Sequence, residues 1–197
     1  MRYLKSAALL ALCLVSSAYG DGGRALADGP GALLAVFDAH GNYVGPVVGF
    51  EDRPLATVIT INGATIMAPI SRAPVGTHLS VSQFEWSSSS TLLLYLSSNC
   101  SGPPIIETST IIFGSGESVP VRPSLSIRTG LEATAYIAPD TYSTTFSSQS
   151  QIETPFGCSG PVPTFTVTGW LPASTYPLSR NYPEPLTIRM DDRPGSR

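Results

Sequence analysis

The sequence predicts an all-β fold: an antiparallel sandwich or barrel of about eight to eleven short strands in one domain. Short β-prone runs recur along the chain, and residues typical of turns separate them. No segment keeps a helical period for longer than two turns. Eighteen prolines and eighteen glycines are spread through the sequence, and both residues disfavour helix interiors.

The first predicted hairpin joins two apolar runs, Leu33–Asp38 and Tyr43–Phe50, through the turn residues 39–42. Pro46 lies in its second strand and has no N–H to donate to a neighbouring strand. We therefore expect this strand to be an edge strand or to be bulged.

The strongest local signal is the second predicted hairpin. Ala56–Ile61 and Ala64–Ile70 are β-prone runs on either side of Asn62 and Gly63. A type I′ turn needs positive φ at both central residues, and Asn-Gly accepts this at little cost.

The remaining runs predict further strands. In Leu79–Trp86 the apolar side changes partway, which indicates a bulge or a strand end, and Thr91–Ser97 is apolar on both sides, as in a central buried strand. The other predicted elements are strands at Ile105–Phe113, Thr164–Trp170 and Leu186–Met190, a strand or loop at Thr141–Gln151, and a third hairpin formed by Pro120–Arg128 and Leu131–Ile137 around Thr129-Gly130.

The domain organisation follows from the two ends of the sequence. Met1–Gly20 combines a basic start, the short apolar run Ala7–Val15 and small residues at its end, which is the pattern of a cleavable signal peptide. We expect a flexible lead-in at 21–30, a β domain at 31–190 and a disordered tail at 191–197. The protein is therefore predicted to be exported to the periplasm, the cell surface or the medium.

The number of cysteines outside the predicted signal peptide is consistent with export. Cys13 falls in the predicted signal peptide, which leaves Cys100 and Cys158. Two cysteines in an oxidising compartment usually pair, so we predict a disulfide between them.

Charge and hydropathy exclude several partners. The formal net charge is −3, only 13% of residues are charged, and the basic residues form no cluster, so nucleic acid is not an expected partner. No stretch after the signal peptide is long and apolar enough to span a membrane as a helix. The low number of charged residues gives little electrostatic repulsion between copies of the chain, which favours self-association.

The motifs of common catalytic sites are missing. The sequence has no Gly-x-Ser-x-Gly, and Lys5 is its only lysine, so a lysine nucleophile is excluded from the predicted mature chain. Asp38, His40 and His78 offer three metal ligands, but without the spacing of a zinc site. We predict no metal, no cofactor and no assigned catalytic residue, although Glu85, Glu107, Glu132 and Asp140 could still meet as paired carboxylates.

Two aromatic residues are candidates for stacking on a sugar ring. Tyr136 lies on the polar side of its predicted strand, and Trp86 lies close to a strand end. The alternative is that such large rings anchor the core, which is the more frequent role of tryptophan.

Four segments resemble a loose group of exported bacterial β-rich proteins of unknown function: VFDAHGNYVG at Val36–Gly45, the hairpin at 56–70, LYLSSNCSG at Leu94–Gly102, and GWLPASTYPL at Gly169–Leu178. The resemblance implies an exported β-protein, sometimes found beside surface or phage-tail-like modules. It carries no catalytic residues to this chain.

The sequence leaves three functions open. It favours an exported, non-enzymatic domain that binds a surface partner or glycan, or that assembles with itself. The alternatives are a secreted hydrolase that uses two carboxylates, and a periplasmic inhibitor or partner protein.

Overall fold

A computed structural model describes residues 33–49, 55–108 and 121–191 of the chain, and these residues form antiparallel sheets. The strands are β1 (Leu34–Phe37), β2 (Tyr43–Val48), β3 (Ala56–Ile61), β4 (Ala64–Val75), β5 (His78–Trp86), β6 (Leu92–Tyr95), β7 (Ile106–Glu107), β8 (Ser124–Thr129), β9 (Glu132–Ile137), β10 (Thr144–Ser148), β11 (Ser150–Glu153), β12 (Gly157–Ser159), β13 (Phe165–Trp170), β14 (Ser174–Pro177) and β15 (Leu186–Met190); the short helix α1 spans Leu178–Asn181.

The all-β prediction is confirmed, but the described residues contain more strands than expected. Several of the additional strands are very short, such as β12 with three residues and β14 with four. They lie in Ser-, Thr- and Pro-rich stretches in which no apolar alternation marks a strand. The expected signal peptide (1–20), lead-in (21–30) and most of the tail (191–197) lie outside the described residues, as does most of the strand expected at 105–113.

Six strands close a barrel in the order β1-β15-β5-β4-β3-β2. β2 was expected to be an edge strand or to be bulged, and it is bulged: its pairing with β1 skips Val44. It is not an edge strand, because it pairs with both β1 and β3. The carbonyl of Pro46 accepts a hydrogen bond from the Thr57 hydroxyl at 3.0 Å. A Cβ on Gly45 would overlap the backbone of Val58, so this close approach of two strands requires glycine.

The Asn-Gly hairpin between β3 and β4 is confirmed. Ile61 pairs with Ala64 across a two-residue loop, and φ is 50° at Asn62 and 81° at Gly63. These values are those of the predicted type I′ turn.

A long segment, residues 87–185, is inserted between the barrel strands β5 and β15. Its described residues, 87–108 and 121–185, form three three-stranded sheets, ordered β10-β13-β7, β12-β11-β6 and β14-β9-β8. The last of these includes the third predicted hairpin, β8–β9, which is confirmed. β6 is largely buried as predicted, but it lies at the end of its sheet rather than at the centre.

Two apolar clusters form the core. The larger one joins barrel residues such as Ile66, Ile70 and Trp86 to Ala135 and Leu178 of the insertion. The smaller one lies within the insertion and includes Leu93, Tyr95, Ile106 and Leu125. One face of the β14-β9-β8 sheet packs on the barrel cluster while residues on its other face contact the smaller cluster.

The predicted disulfide is present. Cys100 and Cys158 are bonded, with 6.0 Å between their Cα atoms, and 58 residues separate them in sequence. No helix among the described residues is long and apolar enough to cross a membrane.

Candidate functional site

The β4–β5 hairpin extends past its neighbours in the barrel. β3 reaches only to Pro69 of β4, and β15 reaches only to Gln83 of β5. Residues 72–82 therefore have no pairing partner outside β4 and β5, and we call this segment the hairpin arm. It ends in a two-residue turn at Gly76-Thr77, where Gly76 has φ of 62°.

A wide bulge shapes the base of the arm. Arg72 pairs with Phe84 and Pro74 pairs with Leu79, so residues 80–83 lie opposite Ala73 alone. The bulge expected within Leu79–Trp86 is thus confirmed. It arises here because the regular pairing of the barrel has ended and the strand is free to bend.

Hydrogen bonds within the arm fix the bulge. The Arg72 guanidinium donates to the carbonyls of Ser80 (3.2 Å) and Val81 (2.6 Å) and lies 5.3 Å from the centre of the Phe84 ring. The Ser80 hydroxyl accepts from the backbone N–H groups of Ser82 (3.4 Å) and Gln83 (3.0 Å). These bonds satisfy four backbone groups of residues 80–83, and they hold the Arg72 guanidinium against the backbone of its own arm.

The arm exposes apolar side chains. Val81 at the bulge is 86% exposed, Leu79 is 66% exposed and Val75 is 58% exposed. Val75 pairs with His78 while Leu79 pairs with Pro74, so apolar groups occupy both faces of the ribbon. Clustered exposed apolar residues are typical of interaction surfaces.

A second feature joins the two ends of the insertion. The Glu184 carboxylate accepts from the Trp86 backbone N–H (2.7 Å) and from Arg128 Nη1 and Nη2 (2.6 and 3.0 Å). Arg128 also donates to the Trp86 carbonyl (3.0 Å) and lies 3.1 Å from the Glu85 carboxylate. The Trp86 indole N–H donates to the Tyr182 carbonyl (3.1 Å).

This network connects the C-terminal end of β5 with the residues just before β15, through Arg128 of β8. Its side chains are only 16–20% exposed. The hydrogen bonds that Arg128 donates to Glu184 raise the pKa of Arg128; burial opposes the rise, while the charges of Glu184 and Glu85 reinforce it. Arg128 is therefore a fixed cation shared by two carboxylates.

An open cleft of about 390 Å³ lies beside this network. The β8–β9 turn and helix α1 form its sides, and its lining residues are Leu131, Glu132, Ser179, Arg180, Pro183 and Glu184. The Ser179 hydroxyl accepts from the Ala133 backbone N–H at 2.9 Å, which holds α1 against β9. Leu131 at the turn is 84% exposed.

The four carboxylates singled out in the sequence have different surroundings. Glu85 pairs with Arg128, Asp140 pairs with Arg122 at 3.1 Å, and Glu132 lines the cleft. Glu107 lies on β7. The second carboxylate of the cleft is Glu184, which the sequence did not single out and which Arg128 already holds in a bidentate pair.

Asp38 organises the first hairpin turn. It accepts from the backbone N–H of His40 (2.9 Å) and from the backbone and side chain of Asn42 (2.8 and 3.0 Å). Burial opposes its ionisation, but these hydrogen bonds outweigh burial and lower the pKa of Asp38. His78 lies on the hairpin arm, and the described residues contain no group of three or more metal-binding side chains.

The two residues predicted to stack on a sugar ring are both removed from solvent, Trp86 completely and Tyr136 partly. Trp86 is fully buried, so its ring is a core anchor and is closed to ligands. Tyr136 is half-buried and packs against the smaller cluster. The polar side of its strand thus faces a second core, which the alternation of residues alone does not reveal.

No family model, no curated protein and no solved structure matches this chain.

Proposed function

We propose that this chain is an exported, non-enzymatic β-module that assembles with copies of itself through the hairpin arm. The observation that carries the proposal is the clustered exposure of Val75, Leu79 and Val81 on a segment that pairs with no strand other than β4 and β5. Burial of such side chains in a contact between two proteins is favourable, at roughly 25 cal/mol for each Å² of apolar surface.

The charge of the arm favours a second copy as its partner. Residues 72–82 contain no lysine and no carboxylate, and their only formal charge is Arg72. The Arg72 guanidinium is bonded to the carbonyls of Ser80 and Val81 within its own arm, and it is the only like charge that two arms would bring near each other. A contact between identical surfaces then gives a closed, two-fold dimer.

The disulfide and the low charge of the chain support an exported module. A disulfide between Cys100 and Cys158 suits an oxidising compartment. The geometry of the cleft favours binding over hydrolysis, because Glu184 is held by three N–H donors and is poorly placed to deliver a proton.

Light scattering at increasing protein concentration tests the proposal. We expect the mass of the mature chain to rise from monomer to dimer between micromolar and millimolar concentration, a weak to moderate affinity. The double variant Leu79→Ser with Val81→Ser should stay monomeric. Phe156→Ser is the matched control, since Phe156 is 79% exposed and lies between β11 and β12, away from the arm in sequence.

Two results contradict the proposal. One is a strict monomer over the whole concentration range. The other is a dimer that the arm variant leaves intact, which would place the contact elsewhere. Circular dichroism of each variant should show the unchanged β spectrum, because the substituted side chains lie outside both core clusters.

A further inference from the structure

We infer that the cleft between the β8–β9 turn and helix α1 binds a primary alkylammonium group, such as a lysine side chain of another protein. This inference goes beyond assembly through the arm and does not depend on it. The lining combines the carboxylates of Glu132 and Glu184 with the apolar side chains of Leu131 and Pro183.

The charges around the cleft favour a cation. The lining supplies two carboxylates, Glu132 and Glu184, and one guanidinium, Arg180, while Glu85 and Arg128 belong to the adjoining ion-pair network. Arg128 is shared between Glu85 and Glu184. Within the described part of the chain, the side chain of Glu132 makes neither a hydrogen bond nor an ion pair. The negative charge of Glu132 is therefore available to a ligand.

Hydrogen-bond capacity also remains for an ammonium group. Glu184 Oε1 accepts from both Trp86 and Arg128, but Oε2 accepts only from Arg128 Nη2. Ser179 Oγ accepts one backbone N–H and keeps a second lone pair. An ammonium has three donors and no acceptor, which suits a site lined by oxygens.

The walls and volume suit a short methylene chain. Leu131 and Pro183 offer apolar surface beside the carboxylates, and lysine stems pack along such surface while the charged head finds polar partners. A volume of about 390 Å³ is near the lower end for ligand sites, so it admits a single side chain or a small amine.

No lysine of the predicted mature chain can supply the ammonium group. Lys5 is the only lysine of the chain and falls in the predicted signal peptide. Arg180 makes no ion pair with any described residue, and its guanidinium donates readily to a carbonyl. A peptide lysine provides such carbonyls next to its stem, whereas a free amine does not.

NMR titration of the mature protein tests this site with three probes: Nα-acetyl-lysine amide, pentylamine and Nα-acetyl-norleucine amide. We expect the lysine amide to shift the signals of Leu131 and Ser179 with millimolar affinity. The norleucine amide has a similar stem without the charge and should leave them unchanged. Tighter binding of the lysine amide than of pentylamine assigns the site to protein lysines, and equal binding assigns it to free amines.

Substitutions of the lining residues test whether the lysine amide binds in the cleft. Glu132→Gln should weaken binding of the lysine amide about fivefold, which corresponds to the loss of an exposed ion pair. Arg180→Gln should weaken binding of the lysine amide and spare pentylamine. Glu153→Gln removes an exposed carboxylate on β11 and serves as the control. Unchanged affinity in Glu132→Gln, or equal binding of the norleucine amide, overturns the inference.

Discussion

Arg128 and Glu184 form a bidentate ion pair between β8 and the segment that leads into β15, with N–O distances of 2.6 and 3.0 Å. The two residues are 56 positions apart in sequence. Since Glu184 also accepts the Trp86 backbone N–H, this pair connects the inserted segment to both barrel strands between which it is inserted.

Removal of Arg128 should destabilise the protein. Arg128→Met leaves the carboxylates of Glu85 and Glu184 largely buried without their cation, so we expect a loss of about 2 kcal/mol in the free energy of unfolding. Urea denaturation measures the loss. Arg122→Met is the matched control, because its partner Asp140 is 91% exposed, and it should cost less than about 0.5 kcal/mol. Equal losses in the free energy of unfolding of the two variants would contradict the prediction that the buried network stabilises the fold more than the exposed ion pair does.

Asp38 should make the protein sensitive to acid. The pKa of Asp38 is lowered in the folded state, so its contribution to stability is present above its ordinary pKa and is lost as the pH falls through the folded-state pKa. Asp38→Ala removes three hydrogen bonds and should lower the free energy of unfolding by about 1–3 kcal/mol at neutral pH. Urea titrations at neutral and strongly acidic pH should show the difference between variant and parent shrinking in acid; a constant difference would contradict the prediction.

Tyr176 should limit stability in alkali. Burial and a hydrogen bond with Tyr182 raise the pKa of Tyr176 to about 12. The stabilisation is complete below the ordinary tyrosine pKa of about 10 and declines as the pH rises from there to the folded-state pKa. Tyr176→Phe should therefore flatten the loss of stability in this window, as measured by denaturation at stepwise increasing pH. Tyr142→Phe, at a tyrosine that is 95% exposed, should keep the slope of the parent.

The disulfide should contribute strongly to stability. A cross-link that closes a loop of 58 residues restricts the unfolded chain by about 4 kcal/mol in the entropic model. The double variant Cys100→Ser with Cys158→Ser should lose up to this amount in urea denaturation. Alkylation without reductant should add no mass to the parent protein, and a gain of two alkyl groups would show that the cysteines are free.

Some of the fold follows from local sequence. Asn62 and Gly63 fix a two-residue turn because both adopt positive φ at low cost, and this turn sets the register of β3 against β4 over six residue pairs. The bulge near Leu79–Trp86 was also visible as a change in the apolar side of the strand. The candidate sites were less visible: Arg72, Arg128 and Glu184 lie in no motif, and their roles depend on partners elsewhere in the chain.

The sequence by itself determined the β class, the hairpins and the two cysteines that pair, because alternation, turn residues and cysteine count are local or compositional properties. Only the tertiary structure decided that β15 inserts between β1 and β5 to close the barrel, that the polar side of β9 faces a second core, and that Glu184 reaches Arg128. The physical reason is that alternation indicates which residues of a strand share a face but carries no information about which strand lies beside it.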